Sequence, residues 1–183
     1  MYAINDNLQA IESRKRITEA LLDLMRQYPY KDITITQICQ EAQIVRQTYY
    51  RNFDSKDDIL RFYLDNMVRQ YFNDYYKVQD IYTQLKDFFS YMLSSSEFLL
   101  LASKNSLFFM IDETITMNIT DFINFQQITT IDDPKMEKYV TGFIASTICS
   151  LLSLWTDNGF LESPEKMSQL AQRFLGGLSF NEA

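Results

Sequence analysis

The sequence predicts an all-α fold. Gly (4) and Pro (3) are scarce among 183 residues, aromatic residues make up 15% of the chain, and apolar residues recur at helical spacing along most of its length. Turn-rich β-sandwiches and Gly-looped nucleotide folds need the very residues that are missing. With 46% hydrophobic residues, the chain can build one large core or a small domain joined to a larger one.

The first element is read in "SRKRITEALLDLMRQYP". Ile17, Ala20, Leu21, Leu24, Met25 and Tyr28 form the stripe of an amphipathic helix, with Ser13 as its N-cap and Pro29 as its stop. A second, shorter helix opens near Thr34 and places Ile35, Ile38, Cys39 and Ala42 on one face. In a third, Val45, Tyr49 and Phe53 recur at i, i+4, i+8 and make one apolar edge. A fourth covers residues 55–77 and opens on Ser55 and Asp58, spaced as a capping box.

Helical spacing continues through "IYTQLKDFFSYMLSS", "EFLLLASKNS" and "SLFFMIDETITMNITDFINF". Asp132 and Asp133 mark a break, and Pro134 suits the first turn of the next helix. Two long helices are expected over 139–158 and 164–178. One carries the stripe Phe143, Thr147, Leu151, Leu154, Trp155 and the other Leu170, Phe174, Leu175, Leu178.

Several function classes are disfavoured. Histidine is absent, which removes the commonest general base and the commonest zinc ligand. No nucleophile elbow, Walker loop or dinucleotide-binding Gly turn occurs. The acid pairs Asp57–Asp58, Asp112–Glu113 and Asp132–Asp133 are adjacent, so on a helix they diverge by about 100° and read as solvated surface. No enzyme, catalytic residue, metal site or cofactor is expected. Cys39 and Cys149 lie far apart in apolar patterns and read as free buried thiols. The N-terminal residues have no signal-peptide pattern, and 139–155 is uncharged but interrupted by Thr, Ser and Gly at barely spanning length. A cytoplasmic protein without a membrane span is expected.

Two short helices joined by a tight turn make a helix-turn-helix, whose second helix lies in the DNA major groove. Its outward face carries Arg46, Gln47 and Tyr50, flanked by Thr48 and Arg51. Arg can contact guanine and Gln adenine in bidentate fashion, while Tyr and Thr hydroxyls can donate to phosphate. Lys56 sits at the positive end of the fourth helix's dipole, a natural phosphate site. Residues 1–60 hold eight Lys/Arg against nine Asp/Glu, and 61–183 hold nine against fifteen, so the acidity belongs mainly to the C-terminal part. A nearly neutral DNA-binding unit binds non-specific DNA weakly and relies on paired, specific contacts, which argues for a dimer.

The segment "TITQICQEAQIVRQTYYRNFDSKDDIL", residues 34–60, resembles the DNA-binding signature of the TetR-type (tetracycline-repressor-like) transcriptional regulators. The likeness runs from about Ser13 to Leu64. It departs from the family pattern at Gln43, where many members have a turn Gly, and at Val45, where a capping Ser or Thr is common. These imply a positive φ on a non-Gly residue and a recognition helix without side-chain capping, a loss of ~1 kcal/mol.

The resemblance implies an N-terminal three-helix helix-turn-helix domain, residues 10–54, joined by a long fourth helix to a larger helical effector-binding and dimerisation domain, residues 55–183. It places Thr34 near phosphate and Thr36 within reach of a base edge. Arg46, Gln47 and Thr48 become base-reading positions, Tyr50 the phosphate anchor and Lys56 a phosphate contact. Tyr49 and Phe53 match inward positions. Tyr50 has a second reading, as a cap on the core with its hydroxyl in water.

The last two helices would form a homodimer, although their stripes also fit intradomain core. Phe88, Phe89, Tyr91, Met92, Phe108, Phe109, Met110, Met117 and Phe122 either line a cavity for an apolar or aromatic small-molecule effector or fill the interior. No ligand residue is singled out. The expected function is a sequence-specific regulator, a repressor that binds a palindromic operator on double-stranded DNA as a homodimer and is released by an effector. The alternative is an activator or DNA organiser whose C-terminal domain docks a protein partner. A helical enzyme or small-molecule binder with a degenerate helix-turn-helix is the remaining possibility.

Overall fold

A computed structural model describes residues 8–74, 80–122 and 134–176. The described secondary structure is helical: α1 (Leu8–Gln27), a 3₁₀ turn (Tyr30–Asp32), α2 (Ile35–Glu41), α3 (Arg46–Asn52), α4 (Lys56–Asp74), α5 (Ile81–Ser94), α6 (Ser96–Lys104), α7 (Phe108–Phe122), α8 (Pro134–Asp157) and α9 (Pro164–Gly176). The chain forms two compact units, residues 1–66 and 67–183, with the division falling inside α4.

In the first unit, α1 buries Ile17, Ala20, Leu21, Leu24 and Met25, as the stripe predicts. Two details differ. The helix begins at Leu8, so Ser13 is not its cap; its hydroxyl donates to the Gln9 carbonyl one turn back. Tyr28 lies beyond the helix end and is exposed. α1 packs on α2 and α3, and Ile38 and Cys39 of α2, Ala42 at its C-cap, Tyr49 of α3 with the following Phe53, and Ile59 and Leu60 of α4 are all buried. Val45 does not join this edge: as N-cap of α3 it has extended backbone (φ −84°, ψ 152°), which breaks the helical register, and it is exposed.

The turn between α2 and α3 holds Gln43 at φ 53°, a left-handed conformation. Arg16 compensates from α1: its guanidinium donates to the carbonyls of Ala42 (2.5 Å) and Gln43 (3.2 Å), oxygens at the end of α2. Left-handed backbone costs a non-Gly residue about 1–2 kcal/mol, and glycine returns part of that through a freer unfolded chain. Gln43→Gly is therefore expected to raise stability by about 0.5–1 kcal/mol. A urea-unfolding midpoint that falls in the variant would contradict this account.

In the second unit, α5 packs on α9, and α7 and α6 pack on α8. Its centre is aromatic. Ring centroids lie 5.4 Å apart for Phe88 and Phe89, 5.6 Å for Phe89 and Trp155, and 5.1 Å for Trp155 and Phe160, each pair close to edge-on. Tyr71 adds contacts to Phe88 and Tyr91, and the Tyr91 hydroxyl donates to the Met67 carbonyl at 2.8 Å. Trp155 is buried, and its indole Nε1 donates to the Glu162 carbonyl at 3.0 Å. Gly159, at φ 67°, terminates α8 in the left-handed conformation that favours glycine.

Residues 138–157 of α8 are apolar enough to cross a membrane by length and mean hydropathy (1.4), yet Ile144, Ala145, Ile148, Cys149, Leu152 and Trp155 are buried within the unit. The helix is packed as a core element. The predicted stripes of α8 and α9 each divide between two faces. Leu151, Trp155 and Leu175 point inward, while Phe143, Leu154, Leu170 and Phe174 are exposed; Leu178 lies outside the described residues. Successive residues turn by 100°, so the α8 stripe spans roughly 120° and its inner edge reaches the core. Both cysteines are free and buried. Burial, followed by a hydrogen bond to Asp112, pushes the Cys149 thiol well above the ordinary thiol range; burial also raises Cys39, against the opposing charge of Arg46.

Candidate nucleic-acid interface

The candidate DNA-facing residues lie on α2, α3 and the start of α4. Thr34 caps α2: its hydroxyl accepts from the Gln37 backbone N–H at 3.3 Å, and the Gln37 side chain accepts from the Thr34 N–H at 2.9 Å. This reciprocal cap fixes the entry to α2 in a segment of only seven helical residues, where every satisfied end group counts. Thr34 and Thr36 are both exposed.

Arg46, Gln47 and Tyr50 are exposed on α3, and Thr48 is half-buried. The Arg46 guanidinium donates to the Thr36 hydroxyl oxygen at 2.5 Å and so joins the two helices of the motif. Thr36 Oγ accepts in that bond, which leaves its own proton free to donate. Val45 gives α3 no side-chain cap.

The two adjacent tyrosines differ in burial. Tyr50 is 55% exposed, while Tyr49 is wholly buried, with the rings edge-on at 5.3 Å. The Tyr49 hydroxyl finds no hydrogen-bond partner among the described residues, and burial first, then neighbouring acidic groups, push its phenol well above the ordinary range. An unpaired buried hydroxyl is unfavourable. Tyr49→Phe is therefore expected to stabilise the chain by on the order of 1 kcal/mol while leaving DNA binding intact; thermal unfolding checks this, and a lower midpoint would show that the hydroxyl is paired after all.

The capping box at α4 is formed: the Asp58 carboxylate accepts from the Ser55 N–H at 2.8 Å, and the Ser55 hydroxyl accepts from the Asp58 N–H at 3.2 Å. Lys56 is half-buried, and its ammonium donates to the carbonyls of Tyr30 (2.6 Å), Lys31 (3.2 Å) and Ile33 (3.1 Å). Beside it, the Tyr30 hydroxyl donates to Asp57. Burial first, then that bond, raise the Tyr30 phenol well above its usual range. The parts played by Arg16, Tyr30 and Asp57 have no signature in the sequence, because each contact joins residues 26 or 27 positions apart.

Residues 17–61 match the family model described as bacterial regulatory proteins, tetR family, and these residues include α2, α3 and the start of α4. Over these residues the chain is similar to the DNA-binding part of TetR-family regulators. A relative, the HTH-type dhaKLM operon transcriptional activator DhaS of Lactococcus lactis subsp. lactis (strain IL1403), is 33% identical over 66 residues, which are 36% of this chain. The match spans 35% of that relative's length.

Two solved structures share the fold. One is the dihydroxyacetone kinase operon activator DhaS, with a TM-score of 0.58, 22% identity, and coverage of 90% of this chain and 94% of that one. The other is a TetR transcriptional regulator from Streptococcus agalactiae 2603V, with a TM-score of 0.69, 17% identity, and coverage of 91% and 95%. Among the described residues, no group of three His, Cys, Asp or Glu side chains is placed to hold a metal ion.

Proposed function

We propose that the chain is a cytoplasmic, homodimeric activator of transcription that binds a palindromic site through its first unit and docks a protein partner on its second. Thr34, Thr36, Arg46, Gln47, Thr48 and Tyr50 make the DNA contacts. The exposed Phe143 and Leu154 of α8 with Leu170 and Phe174 of α9 supply a self-complementary dimer face. Two-fold symmetry then sets the recognition helices about 34 Å apart, matching successive major grooves.

The observation that carries the activator reading over the repressor is the disposition of apolar side chains in the second unit. Phe88, Phe89, Tyr91, Met92 and Met110, which a small-molecule cavity needs on its walls, are buried, with Phe88, Phe89 and Tyr91 in the aromatic cluster around Tyr71 and Trp155. Phe109 and Met117, about two turns apart on α7, are instead 59% and 72% exposed, two apolar side chains that a partner protein would cover. The Lactococcus relative and the solved DhaS are both named as activators, which supports the same sign of regulation.

The test begins with recovery of bound sequences from a random DNA pool, followed by measurement of transcripts beside matching genomic sites with and without the gene. The activator reading expects those transcripts to fall on deletion and to stay low when the gene returns carrying Phe109→Glu and Met117→Glu. A rise on deletion, reversed by the unaltered gene, favours an effector-released repressor and sinks the proposal.

A further inference from the structure

Lys56 stands where a cation at a helix N-terminus is expected to meet a DNA phosphate, yet its charge is used inside the protein. An ammonium has three N–H donors, and Lys56 Nζ has three carbonyl acceptors, those of Tyr30, Lys31 and Ile33, at 2.6, 3.2 and 3.1 Å. The same nitrogen lies 4.4 Å from the centroid of the Tyr30 ring, within cation–π range. The next residue, Asp57, accepts the Tyr30 hydroxyl, so consecutive residues of α4 grip both the backbone and the side chain of the 3₁₀ turn. Tyr30 is buried and Lys56 half-buried. Turning Nζ outward to a phosphate would give up the three carbonyls and the Tyr30 ring.

We propose that Lys56 is a positioning residue and not a phosphate contact. It fixes the turn that precedes α2. Through Ile33 it holds the adjoining Thr34 cap, and with it Thr36 and the Arg46 side chain bonded to Thr36. This inference rests on the DNA-binding role of the first unit.

The two roles separate by salt dependence. A phosphate contact releases counterions, so its loss reduces the slope of log K against log salt by about 0.9. The probe is a labelled duplex carrying a site recovered from the random DNA pool, because Thr36 and Arg46, which Lys56 would hold in place, face base edges and not phosphate alone. For Lys56→Met, affinity is expected to fall several-fold with the slope retained and the unfolding midpoint lowered. Lys56→Arg should not restore affinity, because a planar fork cannot converge on three carbonyls as an ammonium does, whereas a phosphate accepts arginine readily.

If Lys56→Met does not fold, the unaltered chain labelled with ¹⁵N at lysine still decides. A Lys56 ammonium signal protected from exchange in the free protein, and unmoved by the duplex, supports the proposal. A signal that sharpens or shifts only when DNA is added overturns it, as does a Lys56→Met variant with a shallower slope and an unchanged midpoint. A parent chain that binds no duplex at all is a separate result, which removes the DNA-binding role and this inference with it.

Discussion

Arg46→Ala lowers affinity for the selected DNA site by about 1–3 kcal/mol per half-site, and a dimer loses roughly twice that. The expectation follows from geometry and charge together. Arg46 is exposed at the first position of α3, and the Thr36 hydroxyl steadies its guanidinium, which lowers the entropy lost when it engages guanine O6 and N7. Anisotropy titrations against the parent site and single-base variants would show both the loss and a relaxed preference at one symmetric pair of positions. Thr36→Val should give a smaller loss at that same pair, since it frees the guanidinium without removing it. An Arg46→Ala protein with the parent's affinity and sequence preference would show that this side chain reads nothing.

The second large effect concerns assembly. Phe143→Glu with Phe174→Glu places four carboxylates in the proposed two-fold interface, where like charges facing one another cost several kcal/mol. Sedimentation should find a monomer at concentrations where the parent is a dimer, and binding to the palindromic site should weaken by on the order of 100-fold or more, because linkage of two half-site contacts is lost. The fold itself should survive, since Phe143 and Phe174 are 50% and 53% exposed within the chain. Unchanged helicity, with an unfolding midpoint that no longer depends on protein concentration, would confirm that only association was affected. A variant that sediments as a dimer would move the interface elsewhere.

Local chemistry made much of the first unit legible. The Thr34 and Ser55–Asp58 caps involve residues three apart, so their spacing is itself the signal, and the inward period of Ile17, Leu21, Leu24 and Met25 needs no tertiary knowledge. Resemblance supplied the positive φ at Gln43 and the uncapped start of α3. Where the reading failed, backbone or packing overrode pattern. Ser13 looked like a cap because it precedes the apolar stripe, but a hydroxyl bonded one turn back is compatible with helix interior. Val45 shares a period with Tyr49 and Phe53 that holds only for helical backbone, which Val45 does not have. The α8 stripe was one band in sequence and two faces in space, since burial of Leu151 and Trp155 depends on what packs beside them. The contacts of Arg16 and Lys56 link distant residues, and no single sequence announces such pairs.

The solitary tryptophan has a photophysical use. Trp155 is the only indole in 183 residues, it is 1% exposed, and it belongs to the second unit. Selectively excited, the native chain should emit at short wavelength and resist quenching by iodide, and the emission should redden only when the second unit opens. The helices of the first unit carry no such chromophore, so far-ultraviolet circular dichroism, which sees every helix, and tryptophan emission, which sees one unit, form two independent clocks in the same cuvette. Coincident traces during denaturation would mean the two units unfold as one cooperative body; separated traces would give each its own stability without any added label.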